Sequence, residues 1–176
     1  MKVIALSAAL MGALLFPLSV SAQLCKSGKP EPAEAGRYQR QQDGTVLDSR
    51  LGLQWQACTF GLKGKGCSEG NTIRLTAPKA WEMGVKLNQQ KWLGHDDWRV
   101  PTIAELESLR KADCVDPAID VSLFPRTESN WYWSSSAEPG DQFDYWYLDF
   151  KDGVKEQDDK NLASFVRFVR TYKKIE

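Results

Sequence analysis

Apolar side chains fill residues 3–18 almost without a break, behind Met1-Lys2 and ahead of Val20-Ser21-Ala22. A basic start, an apolar stretch and small residues before a cut site make the pattern of a secretory signal peptide, so residues 1–22 are expected to be removed. Gly12 and Pro17 interrupt the run and no basic stop-transfer flank follows it, which argues against a membrane span. Leu24 precedes Cys25 where lipid modification needs a small residue, so no lipid anchor is expected. Residues 23–36, rich in Pro, Glu, Ala, Lys and Gly, have no apolar period and predict an extended arm pinned only by Cys25.

From residue 37 the pattern acquires a period. Residues 38–42 read as a strand, Asp43-Gly44 as a turn and residues 45–48 as the return strand, which is a hairpin. Alternation over residues 51–56 points Leu51, Leu53 and Trp55 at the core. The period then changes to helical: Thr76 is an N-cap candidate, Pro78 fits the first turn, and Ala80, Met83, Gly84 and Leu87 line one face of a helix ending near Lys91. Thr102 and Glu105 have capping-box spacing, so a second helix starts there with Ile103, Leu106 and Leu109 inward. The last third returns to strands at 131–136, 143–151, 154–157 and 165–171, with Asp152-Gly153 as a turn. Strands, two helices, then strands predict an α+β domain over residues 37–176: two helices packed on a small, twisted, mostly antiparallel sheet.

The cysteines and charges sharpen this. All four cysteines, Cys25, Cys58, Cys67 and Cys114, fall after the expected cut, and an even number in an oxidising compartment predicts two disulfides. Of three possible connectivities, the glycine-rich stretch between Cys58 and Cys67 favours that pair and leaves Cys25 for Cys114. The spacings resemble no zinc knuckle and His95 is the only histidine, so no structural metal is expected. Loss of Lys2 leaves 22 of the 23 basic residues against 23 acidic ones, a net charge near −1 with no field calling for nucleic acid or membrane. The 42% of hydrophobic residues suffices for one core in a chain of this length.

Five phrases then occur in order: Asp43-Gly44-Thr45-Val46-Leu47-Asp48, Leu51-Gly52-Leu53-Gln54-Trp55, Trp98-Arg99-Val100-Pro101-Thr102 with Glu105-Leu106, Tyr132-Trp133-Ser134-Ser135-Ser136, and Val166-Arg167-Phe168-Val169-Arg170. Together they resemble the domain family typified by the C-terminal domain of the Legionella collagen-like adhesin, across about residues 37–172. The resemblance implies a fold akin to C-type lectin-like and formylglycine-generating-enzyme-like domains, and a role in adhesion to a glycan, including a sulfated one. No collagen-like stalk is present, so that adhesin's trimeric setting does not carry over. Each phrase also has a local reading: Trp98 packs beside the second helix, Arg99 seeks an ion pair, and Pro101 stiffens the approach to the capping box.

No catalytic apparatus is apparent. Ser134-Ser135-Ser136 needs a base, and the sole histidine sits in a turn-like Gly94-His95-Asp96-Asp97 segment. Gly61 and Gly66 have phosphate-loop spacing, but Cys67-Ser68 stands where a lysine is required. The catalytic relatives' late cysteines have no counterpart after Cys114. Glu138-Pro139-Gly140-Asp141 only partly echoes a calcium-lectin loop; Asp141 and Asp144 could hold calcium, though a solvated polar loop is the ordinary reading. No cofactor is expected.

Surface recognition remains. Trp133 and Trp146 are assigned to the core, while Trp131, Tyr145 and Tyr147 are the candidates for an exposed platform that stacks on sugar or anchors a partner. Arg126, Arg167 and Arg170, with Lys173 and Lys174, are the candidate cations for an anionic polysaccharide. The expected function is a non-catalytic exported module binding a glycan. The alternative is a periplasmic protein-interaction partner such as an inhibitor, immunity factor or accessory subunit, with a divergent enzyme third.

Overall fold

The computed structural model describes residues 23–26, 36–137, 139–140 and 143–172; the expected leader, most of the arm, Asp141, Lys173 and Lys174 lie outside them. Along the chain the strands are β1 (Leu24–Cys25), β2 (Tyr38–Arg40), β3 (Thr45–Asp48), β4 (Leu53–Gln56), β5 (Leu62–Lys63) and β6 (Glu69–Gly70). Helices α1 (Ala77–Gln89) and α2 (Ile103–Glu107) follow, then β7 (Cys114–Val115), β8 (Trp131–Ala137), β9 (Asp144–Asp149), β10 (Val154–Asp159) and β11 (Val169–Thr171). The chain is α+β, as the pattern predicts, but its strands form two main antiparallel sheets rather than one. The first has the order β11-β4-β3-β2, the second β10-β9-β8, and two short ribbons pair β1 with β7 and β5 with β6.

The C-terminal strand makes the difference. β11 does not join the aromatic strands; it pairs with β4, Val169 opposite Trp55 and Thr171 opposite Leu53. Just before it, the chain stitches the sheets together: Trp133 N–H donates to Phe165 O at 3.0 Å, and Gln56 N–H donates to Phe168 O at 3.0 Å. Two cores result. One gathers Val46, Trp55, Leu106, Ile119, Phe124, Tyr132, Leu148 and Phe150 beneath α2. The other gathers Ala77, Ala80, Leu87, Trp98, Trp133, Tyr147, Val166 and Phe168 beneath α1. Successive residues of a strand point to opposite faces, so Tyr132 and Trp133, or Tyr147 and Leu148, enter different cores. The β8–β9 pair is covered on both sides.

Local chemistry explains the helices. The small face of α1, Ala77, Ala80 and Gly84, lets it lie close on Trp98, whose carbonyl would be 3.5 Å from a Cβ at Gly84. Thr76 occupies the N-cap position without a side-chain capping bond. The helix is instead held at its ends by the tertiary structure: Ala77 N–H donates to Lys160 O at 2.9 Å, and Asn88 bonds both backbone groups of Trp98 at 2.7 and 2.9 Å. Trp98 therefore packs on α1, not on the second helix as expected from sequence. Leu51 is also displaced from its expected place: it is 44% exposed, because β4 begins only at Leu53.

α2 starts on the predicted capping box. Glu105 N–H donates to Thr102 Oγ1 at 3.3 Å and Thr102 N–H to Glu105 Oε2 at 2.8 Å, while Arg99 grips the same carboxylate at 2.7 and 2.8 Å. Burial alone would raise the Glu105 pKa; the Arg99 and Thr102 bonds outweigh it and leave the group below its usual range. A lowered folded-state pKa contributes stability present above the unfolded value and lost as pH falls through the folded one. Glu105→Gln should thus cost about 1 to 2 kcal/mol at neutral pH and flatten the acid limb below about pH 4.5, checked by urea melts across pH.

Both expected disulfides form, Cys25–Cys114 and Cys58–Cys67. The arm is more than tethered by its cysteine. β1 pairs with β7, and the Gln23 amide donates to Pro117 O and Ile119 O at 2.6 and 2.5 Å. Among the described residues no helix is long and apolar enough to cross a membrane.

Candidate functional site

The aromatic residues expected to form a platform sit on the α1-facing side of β8–β9–β10, and that side is largely occupied. Tyr147 is only 2% exposed, so its expected exposure is corrected. Its ring stacks on Trp131 at 4.7 Å and its hydroxyl donates to Glu156 Oε2 at 2.7 Å. Trp131 and Tyr145 are half-buried: Trp131 Nε1–H donates to Asp149 Oδ2 at 3.1 Å, and Tyr145 meets Trp81 of α1 edge-on at 4.8 Å. Trp133 is core as expected, but Trp146 is only half-buried, with the Lys155 ammonium 5.8 Å from its ring.

Strand register sets carboxylates among these rings. Asp149 lies opposite Trp131, Glu156 opposite Tyr147, and Asp158 opposite Tyr145, all on one face because cross-strand partners share a face. Burial first, then the Glu156 bond and the charges of Asp158 and Asp149, hold the Tyr147 phenol well above its ordinary pKa. The seam is therefore a run of half-exposed rings, Trp81, Tyr145 and Trp131, edged with negative charge. Trp81 belongs to it although its helical spacing gave no functional signal.

The basic residues do not assemble. Arg167, expected at the surface, is fully buried: it donates to Gln56 O and Ala57 O at 2.8 and 2.5 Å and to Thr127 Oγ1 at 2.8 Å, with its guanidinium 4.8 Å from the Phe124 ring. It cannot meet a ligand from solvent. Arg170 is half-buried and pairs with Asp97 at 2.6 Å, while the exposed Arg126 donates to Cys67 O at 2.9 Å.

The serine run is structural. Ser134 is buried and donates its hydroxyl to Trp146 O at 2.7 Å, and Ser136 Oγ accepts the Ile103 amide at 3.1 Å. His95 faces the Trp98 ring at 6.1 Å instead. Among the described residues no group of three or more His, Cys, Asp and Glu could hold a metal ion.

A concavity absent from the sequence reading lies elsewhere. Three loops, the β2–β3 turn, the stretch from Cys58 to Gly64 and the turn at Trp92-Leu93, enclose a cleft of about 220 Å³. Phe60, Leu62, Trp92 and Leu93 supply its apolar walls, with Asp43 and Lys63 at the lip. No spacing rule joins loops so far apart in the chain.

The model of the Lcl C-terminal domain family matches residues 44–170. No curated protein sequence matches the chain.

Proposed function

Because the chain belongs to the Lcl C-terminal domain family, we propose that it acts as a non-catalytic, exported binding module that recognises a glycan. The observation that carries this reading is the seam of Trp81, Tyr145 and Trp131 with Asp149, Glu156 and Asp158 alongside. Flat rings stack on the apolar faces of sugars, and neighbouring carboxylates accept their hydroxyls. That pairing suits an uncharged sugar better than a sulfated one, since the anionic edge repels sulfate and the candidate arginines are buried or dispersed. Two helices on antiparallel sheets, stapled by two disulfides, are in keeping with a C-type lectin-like domain. The two disulfides also support export to the periplasm or the cell exterior. A non-catalytic role accords with Ser134 and His95 being engaged separately, the one by Trp146 O and the other by Trp98.

An array of neutral and sulfated glycans, read with the native protein, tests the proposal. Saturable retention on a neutral glycan should weaken about tenfold in Trp131→Ala, which removes a stack worth roughly 1 kcal/mol along with buried ring area. Glu156→Gln keeps every ring and should weaken binding several-fold. A blank array, or a retained glycan indifferent to both changes, would sink it.

A further inference from the structure

The cleft beside the Cys58–Cys67 bridge adjoins a second depression of about 490 Å³, lined by Arg40, Gln41, Gln42, Asp43, Gly44, Gly64 and Lys65. The two share Asp43, Gly44 and Gly64. Together they make a two-part groove, with Phe60, Leu62, Trp92 and Leu93 walling the first part, Lys63 at its lip, and Arg40 and Lys65 lining the second. At the saddle Gly44 faces open space, whereas the Glu69 side chain lies over Gly64.

The charges at this groove are unequal in availability. Asp43 is exposed at the lip, with its Oδ1 held by the Thr45 amide at 2.9 Å and the Thr45 hydroxyl at 2.6 Å. Glu69, opposite Lys63 in the β5–β6 ribbon, is the other carboxylate nearby. Lys63 and Lys65 are exposed, and neither has a carboxylate within ion-pair distance among the described residues. Arg40 donates to the carbonyls of Ser122 and Leu123 at 3.3 and 3.0 Å and has no carboxylate within ion-pair distance among the described residues.

The wall is also built at a cost. Leu93 (φ 52°) and Cys67 (φ 57°) stand in left-handed backbone beside the groove, and Lys91 (φ 47°) does so just ahead of Trp92. Such residues cost about 1 to 3 kcal/mol each and persist where surrounding structure enforces them, most often at binding sites. Here the Cys58–Cys67 bridge supplies that enforcement on one side.

We propose that this groove, separate from the ring seam, binds an extended acidic peptide segment of a partner protein, with one large apolar side chain anchored between Phe60, Leu62, Trp92 and Leu93. Carboxylates on either side of the anchor meet Lys63, Lys65 and Arg40. A two-ended groove suits an extended chain better than one compact molecule, and the excess of Arg40, Lys63 and Lys65 over Asp43 and Glu69 sets the sign of its charge.

The probe is a short fluorescein-labelled peptide with a central phenylalanine flanked by aspartates and glutamates, titrated by anisotropy against the disulfide-intact protein at low salt. Two counterparts carry glycine at the centre or lysine in place of the acids. Both should bind about tenfold or more weakly, since each loses either the buried ring or the charge match. Reversing two cations together, Lys63→Glu with Lys65→Glu, should weaken the acidic peptide about tenfold. Leu93→Gly relieves the left-handed strain while removing the wall, so it should leave the melting temperature within a few degrees and still lower affinity several-fold. Equal binding of all three peptides, or indifference to the lysine reversal, overturns the proposal. Displacement of the acidic peptide by a sulfated oligosaccharide that depends on the same lysines and tolerates Leu93→Gly also overturns it, in favour of a sugar site. Trp131→Ala should not alter peptide binding, so this test and the glycan array fail independently.

Discussion

Arg167→Ala is expected to lower the unfolding free energy by about 3 to 5 kcal/mol, measured in urea melts at neutral pH. The guanidinium is fully buried, with no carboxylate on it among the described residues; three hydrogen bonds and two ring faces stand in for water and counter-ion, and Nε has no partner among them. Burial pushes its pKa down to about 10, with Tyr132 pulling the other way, so it stays charged at pH 7. Removing it leaves a void and orphans the carbonyls of Gln56 and Ala57, each of which costs about 1 to 3 kcal/mol when desolvated without a donor. Arg167→Lys keeps a charge but not the planar fork, and should cost about 2 kcal/mol or more. Arg167→Met separates packing from bonding: it fills the space yet still strands both carbonyls, so it should remain destabilised. A methionine variant as stable as the native protein would show that the hydrogen bonds contribute nothing net.

The second large effect comes from covalent linkage. Cys25 and Cys114 are separated by 89 positions, Cys58 and Cys67 by 9. Loop-closure entropy makes the longer bridge worth about 4 to 5 kcal/mol and the shorter one about 3. The double change Cys25→Ser with Cys114→Ser should therefore lower the melting temperature more than Cys58→Ser with Cys67→Ser, by scanning calorimetry. It also frees β1 from β7 and the Gln23 amide from Pro117 and Ile119. Full reduction should remove a sum comparable to the whole net stability of a typical domain, about 5 to 15 kcal/mol, and leave the chain close to unfolding. An equal ranking of the two bridges would mean that the arm has ordered contacts with the domain even without its crosslink.

Both effects were only partly legible in the chain. The bridges followed from the count and the glycine-rich loop. Arg167 read as one of several cations near the C-terminus, yet it stands inside the run Phe165-Val166-Arg167-Phe168-Val169, where a lone charge among large apolar residues is a signal of burial. The aromatic strands carried a similar signal. Trp131-Tyr132-Trp133 and Tyr145-Trp146-Tyr147-Leu148 place large side chains at both parities, the pattern of a strand covered on two faces. Read as simple alternation, they assign Tyr147 to the surface; with α1 and α2 packed on opposite faces, it is sealed.

What the sequence determined by itself are the features set by neighbours a few residues apart: the hairpin at Asp43-Gly44, the Thr102–Glu105 capping box, the small face of α1 and the order of strands and helices. Dihedral preference and short hydrogen-bonded rings fix these within one or two turns of chain. Only the tertiary structure decided that β11 pairs with β4, that the strands divide into two sheets, that rings and carboxylates share a seam, and that three distant loops enclose a groove. Those outcomes depend on which surfaces meet when two cores close at once, and no local pattern records a contact made across a hundred residues.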